Sequence, residues 1–65
     1  MATSYANEET LRRAYATEPQ RVASGWTYMT CDHQPDGSTV YTVQLRGGGT
    51  ETWRRAAGVQ QFVQV

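Results

Sequence analysis

Cys31 and His33 are the residues of this chain whose side chains could most readily share a chemical task. They lie two apart in a segment with strand character, so both side chains project from one face and could reach the same metal ion. A zinc site needs four ligands, and the chain contains no second cysteine or histidine. A thiolate activated by His33 would also need oxyanion donors and a group that orients the base. The sequence favours a buried structural cysteine, with no metal ion.

Two other groups of residues could suggest catalysis or cofactor binding. Glu8 and Glu9 are adjacent, so on a helix they point apart and suit the positive end of the helix dipole better than paired acid–base work. The glycines at 47–49 precede Thr50 as in a phosphate-binding loop, but the lysine of that motif is missing. We therefore expect no catalytic residues and no cofactor, and the chain is not predicted to be an enzyme.

The segment from Trp26 to Leu45 is predicted to form one β-hairpin. Proline and aspartate at positions 35 and 36 suit the corners of a type I turn, and Gly37 suits the left-handed position that follows. This turn pairs Gln34 with Ser38 and fixes which residues share a face. The apolar face is expected to carry His33 with Thr39, Cys31 with Tyr41, Met29 with Val43 and Thr27 with Leu45. The other face is expected to carry Asp32 with Val40, Thr30 with Thr42, Tyr28 with Gln44 and Trp26 with Arg46.

This second, mixed face is the best candidate for a binding surface. Tryptophan, tyrosine and arginine are the residues most enriched among interface hot spots, because each combines contact area with a polar or charged group. The predicted partner-binding residues are Trp26, Tyr28, Thr42, Gln44, Arg46, Arg54 and Arg55. Phe62 could join them if the last strand lies alongside. Alternatively, the N-terminal helix covers this face, or the face stacks nucleic-acid bases.

The N-terminal part is predicted to be helical. Asn7 can cap a helix with acidic residues in its first turn, and Leu11, Ala14 and Tyr15 then form one apolar stripe. A second turn, capped by threonine at position 17 and entered through Pro19, contributes Val22 and stops at Gly25. Residues 1–6 lack anchoring side chains and are expected to fray.

Residues 50–57 are ambiguous. Thr50 as an N-cap, acidic and basic residues at the appropriate ends, and Gly58 as a stop favour a short helix, while a third strand is the alternative. A last strand is predicted from Val59 to Val65, with its valines on one side and Phe62 on the other. The predicted fold is therefore a small α+β domain spanning residues 1–65: N-terminal helix, hairpin, short helix and C-terminal strand.

The alternative fold, if residues 50–56 form a strand, is a four-stranded SH3-like small barrel with an N-terminal helix. The expected core of the favoured α+β fold consists of Leu11, Tyr15, Val22, Met29, Cys31, Tyr41, Val43, Leu45, Trp53 and Val63.

Composition narrows the class of function. The 65 residues carry six basic and six acidic side chains, so no strong field attracts nucleic acid or membrane. The single cysteine excludes an internal disulfide, and neither a signal peptide nor a membrane span is recognisable, which predicts a cytoplasmic protein. We expect a non-enzymatic interaction module, an accessory, regulatory or inhibitory factor that docks on a protein partner or on itself. Its size and lack of lysine suit a phage or mobile-element product, and the alternative function is nucleic-acid binding through the C-terminal arginines.

Overall fold

The computed structural model describes residues 3–65, which form two helices and five strands. The helices are α1 (Glu8–Thr17) and α2 (Pro19–Ser24). The strands are β1 (Ser4–Tyr5), β2 (Trp26–His33), β3 (Thr39–Leu45), β4 (Thr50–Arg55) and β5 (Phe62–Gln64). The predicted α+β class is confirmed, whereas the arrangement of the elements differs from the one expected.

The strands form one open antiparallel sheet in the order β1-β5-β4-β3-β2. The short helix predicted over residues 50–57 is wrong, because most of this segment is strand β4. Pairing with β3 outweighs the local helix propensity of this segment. In that pairing Trp53 lies opposite Tyr41 and is completely buried. The strand alternative was correct for this segment, but the edge strands β1 and β2 are not neighbours, so the sheet does not close into a barrel.

The hairpin follows the predicted register from its tip to Tyr28. The amide of Gly37, with φ of 90°, donates to the carbonyl of Gln34 at 3.0 Å, and the Gln34 amide donates to Ser38 at 2.8 Å. A β-bulge between Trp26 and Tyr28 then shifts the pairing. Trp26 therefore lies opposite Leu45 and not opposite Arg46, which corrects the predicted open end of the hairpin.

The N-terminal segment is more ordered than predicted. Tyr5 pairs with Phe62 and is 5% exposed, so the expectation that residues 1–6 fray is wrong for strand β1, and positions 1 and 2 lie outside the described residues. The side chain of Asn7 caps α1 as predicted, accepting from the Thr10 amide at 2.9 Å. Glu18, not Thr17, is the N-cap residue of α2, and Gly25 ends this helix as expected.

The core lies between the helices and one face of the sheet. Five predicted core residues are buried, and two more are partly buried against them: Leu11, Tyr15, Tyr41, Val43 and Trp53, with Met29 and Leu45. The predictions for Val22, Cys31 and Val63 are wrong, since all three are exposed. The last strand is shorter than predicted, and its pairing places Val63 opposite Arg54, which turns Phe62 inward. Tyr5, Ala14 and Phe62 complete the buried cluster.

Within residues 3–65, neither helix has the length and apolar character needed to cross a membrane.

Candidate protein-interaction surface

Both helices pack on the same face of the sheet and leave the opposite face uncovered. We call the covered side the inner face, which includes Tyr41, Val43, Glu51 and Trp53. We call the other side the outer face. Strand pairing and side-chain alternation place on it Tyr28, Thr30, Asp32, Val40, Thr42, Gln44, Thr50, Thr52, Arg54 and Val63.

The centre of the outer face is a row of threonines across three strands. Thr30 pairs with Thr42, and Thr42 pairs with Thr52. The β-branched side chains fit the pleated surface, and their hydroxyls offer both donors and acceptors. This row can therefore make hydrogen bonds to a partner without placing a charge at the centre of the contact.

One edge row of the outer face carries charge. Asp32, Val40, Arg54 and Val63 lie side by side across four strands, so an aspartate and an arginine flank a valine. The guanidinium of Arg54 also lies 3.7 Å from the carboxylate of Asp36 in the hairpin turn. Hydrogen bonds from the Ser38 hydroxyl and amide lower the pKa of Asp36, so this carboxylate stays charged beside Arg54.

The other edge row contains the large aromatic side chain of the outer face. Tyr28 is 56% exposed and pairs with Gln44, which in turn pairs with Thr50. The side-chain amide of Gln44 donates to the backbone carbonyl of Gly49 at 3.4 Å, and this bond connects the side chain to the adjacent turn. Tyr28 therefore offers a ring and a hydroxyl to a partner from a firmly paired strand.

Trp26 does not lie on the outer face, contrary to the sequence-based prediction. The bulge turns it towards the helices, where its indole N–H donates to the carbonyl of Tyr15 in α1 at 3.2 Å. Its side chain remains 38% exposed at the rim of the inner face. Nothing in the local sequence marks a single-residue bulge, so only the pairing reveals it.

The three arginines of the predicted site point to different places. Arg54 lies on the outer face, whereas Arg55 lies on the inner side, with its guanidinium 5.1 Å from the centre of the Phe62 ring and bonded to Thr39 at 3.1 Å. Arg46 follows β3, and its amide donates to the carbonyl of Gly25 at 3.1 Å. Arg54 and Arg55 therefore lie on opposite faces of the sheet.

Cys31 and His33 each lie close to one polar side chain of another element. The thiol is exposed, and it lies 3.9 Å from a carboxylate oxygen of Glu8, while a ring nitrogen of His33 lies 3.3 Å from the Thr39 hydroxyl. Desolvation by neighbouring atoms, together with the nearby Glu8 charge, raises the pKa of the Cys31 thiol, which disfavours the thiolate. The described residues contain no cluster of three acidic, cysteine or histidine side chains able to hold a metal, and they enclose no pocket.

A buried charged cluster on the inner face was not predicted from the sequence. Arg21 is fully buried, donates to Glu51 at 3.0 Å and lies with its guanidinium 4.9 Å from the Trp53 ring centre. The Tyr15 hydroxyl donates to the same glutamate at 2.6 Å and accepts from the Trp53 indole at 3.0 Å. Burial, together with the hydrogen bond to Glu51, raises the pKa of Tyr15. This cluster joins both helices to β4.

Thr50 and Thr52 of the outer face were not predicted for the site, because the signal for them depended on reading residues 50–55 as a strand. Read as a strand, Thr50, Thr52 and Arg54 alternate with Glu51 and Trp53, which separates them into two faces. Read as a helix, the same segment loses that separation.

No protein-family model, curated protein or solved structure matches this chain.

Proposed function

We propose that this protein is a non-enzymatic interaction module that docks on a protein partner through the outer face of its sheet. The observation that supports this is the one-sided packing: both helices lie on the inner face, and within residues 3–65 no helix covers the opposite face of the sheet. Such a face is rigid because each of its strands is held in the ladder, so binding costs little conformational entropy.

The composition of the outer face suits a polar protein interface. Tyr28 supplies an aromatic anchor, Arg54 supplies a charged group, and the threonine row between their rows supplies neutral hydrogen-bonding groups. Of the seven residues predicted for the site, four belong to this surface: Tyr28, Thr42, Gln44 and Arg54. Trp26, Arg46 and Arg55 are omitted from the proposed contact.

Site-specific photo-crosslinking in an extract of the native host tests the proposal. A photoreactive phenylalanine analogue replaces Tyr28 on the outer face, and a matched chain carries it at Val22, which is 49% exposed on α2. We expect one protein to crosslink from position 28, and we expect it to crosslink poorly from position 22.

A second substitution tests whether the crosslinked protein contacts the outer face directly. Arg54→Ala in the position-28 chain should reduce the crosslink severalfold, because it removes the charged group of the outer face. Arg13→Ala, on the exposed side of α1, should leave the crosslink unchanged. Equal crosslinking from positions 28 and 22, or insensitivity to Arg54→Ala, would argue against docking through the outer face.

A further inference from the structure

Strand β2 ends the sheet with a long, unpaired edge. It has eight residues, whereas β1 at the opposite edge has two. Among the described residues, β2 has β3 as its single strand neighbour. An edge of this length presents a row of backbone donors and acceptors that can pair with another extended chain.

The hairpin register identifies which backbone groups face outward. The Gln34 amide bonds to Ser38, and hydrogen-bonded pairs then alternate along an antiparallel ladder. Tyr28, Thr30 and Asp32 therefore direct their amides and carbonyls towards β3. The residues between and after them, Met29, Cys31 and His33, direct theirs away from the sheet.

Little along this edge prevents pairing with another strand. Natural edges are commonly protected by lysine, proline, inward-pointing charges or bulges. In β2 the bulge lies at its start, between Trp26 and Tyr28, and the stretch from Tyr28 to His33 contains neither lysine nor proline. The one carboxylate in this stretch, Asp32, lies on the outer face near the hairpin tip.

We propose that β2 pairs antiparallel with β2 of a second copy of this chain, around a two-fold axis at Thr30. The two five-stranded sheets then join into one continuous sheet, with both pairs of helices on the same side. The six basic and six acidic residues of each chain leave no net charge to oppose self-association.

The axis at Thr30 gives a compatible set of cross-strand neighbours. Thr30 meets Thr30 of the second copy, which is a favourable pair, and each Asp32 meets a Tyr28. Met29 meets Cys31, and both direct their backbone groups to the new ladder. An axis at Asp32 would instead oppose two carboxylates, which is unfavourable.

The helix beside this edge is also electrostatically compatible with a second copy. Glu8 reaches this edge, with a carboxylate oxygen 3.9 Å from the Cys31 thiol of β2, and Arg12 lies one helical turn further along α1. The side of α1 near the edge thus carries one charge of each sign.

A charge-reversal experiment tests both the dimer and its axis. Thr30→Lys and Thr30→Glu each place a charge opposite its own copy, so we expect each variant alone to weaken the dimer about tenfold or more. An equimolar mixture should restore it, because lysine then faces glutamate. Sedimentation equilibrium between ~10 µM and ~1 mM measures the association.

Thr52→Lys provides the matched control. It adds the same charge to the same row of the outer face but lies two strands away from the edge, so dimerisation should be unchanged. Circular dichroism of all variants confirms that they fold. A wild-type monomer at every concentration, a dimer indifferent to both Thr30 variants, or a mixture that does not recover association overturns the proposal.

Amide hydrogen exchange gives a test without substitutions. On raising the concentration, the amides of Met29 and Cys31 should become protected at least about tenfold, whereas those of Tyr28 and Thr30 should be protected throughout by β3. Equal exchange of Met29 and Cys31 at low and high concentration overturns the pairing. The inference does not depend on the proposed partner, because crosslinking from position 28 and self-association through β2 can each fail alone.

Discussion

The two faces of the sheet are built from the same strands but have opposite roles. The inner face contains the aromatic core and a fully buried arginine under the helices, while the outer face has threonines at its centre and larger or charged side chains at its margins. In β4, the alternation of Trp53 with Thr52 and Arg54 produces this division within three residues. Stability is therefore concentrated on one face, and the other face is free to differ in sequence.

A single bulge in β2 moves the side chain of Trp26 from the outer face to the inner face. Without the irregularity after Trp26, this tryptophan would lie on the outer face beside Arg46. With it, the indole bonds to α1 and closes the rim of the inner face. The most prominent hot-spot candidate in the sequence consequently has a structural contact.

The largest expected effect comes from breaking the buried ion pair of the inner face. Glu51→Gln leaves the Arg21 guanidinium buried without its countercharge, and we expect a loss of about 3–5 kcal/mol in the free energy of unfolding. A domain of this length has roughly 3–10 kcal/mol in total, so the variant should be close to unfolded at room temperature. Urea denaturation followed by circular dichroism measures the change.

Glu9→Gln is the matched control for this ion pair. Glu9 accepts from Arg13 at 2.6 Å one turn along α1, but both side chains are largely exposed. Such pairs are worth about 0.3–0.5 kcal/mol. Equal losses for the two variants would contradict the special role of the inner cluster.

The second prediction concerns alkaline pH. The raised pKa of Tyr15 lies above the ordinary tyrosine value of about 10, so its contribution is fully present below pH 10 and is lost as pH rises through the folded-state pKa. Above pH 10 we expect stability to fall by about 1.4 kcal/mol per pH unit for this group. Urea midpoints measured between pH 8 and ~11.5 test this slope.

Tyr15→Phe should flatten the alkaline slope while lowering stability at pH 7, since it removes the hydrogen bonds to Glu51 and from Trp53. Some slope should remain, because burial also raises the pKa of Tyr5. An unchanged slope in Tyr15→Phe would show that its hydroxyl does not titrate as inferred.

The third prediction tests whether the Trp26 side chain packs against α1. Trp26→Phe keeps an aromatic ring but removes the indole donor to the Tyr15 carbonyl, and we expect a loss of about 1 kcal/mol. The indole proton of Trp26 should also exchange more slowly than that of a free indole. A neutral substitution, with rapid indole exchange, would instead favour a tryptophan turned away from α1.

Much of the hairpin could be predicted from sequence because its turn residues fix the register locally. The same reasoning failed at residues 50–57, where charges at both ends resemble helix capping and the deciding contact, between Trp53 and Tyr41, is distant in sequence. It also failed in α2, where hydropathy favoured Val22 for burial. Arg21 is buried instead, because Glu51 and two aromatic rings provide its partners from other elements.

The smallest expected effect belongs to the outer face, and two tyrosines on paired strands make the comparison direct. Tyr28 is 56% exposed on the outer face, whereas Tyr41 is 4% exposed and packs edge-on against Phe62, with ring centres 5.9 Å apart. Tyr28→Thr should change the free energy of unfolding by less than about 0.5 kcal/mol, while Tyr41→Thr should cost roughly 3 kcal/mol or more.

These two variants test whether the outer face is exposed to solvent in the free protein. Threonine keeps a high strand propensity, so the difference between the variants reports burial and not backbone preference. If Tyr28→Thr were as costly as Tyr41→Thr at low protein concentration, something within the chain would have to cover the outer face. If Tyr28→Thr is neutral for stability but, added as an unlabelled competitor, fails to displace the position-28 chain from its crosslinked partner, this side chain acts in binding, because its removal leaves the fold intact.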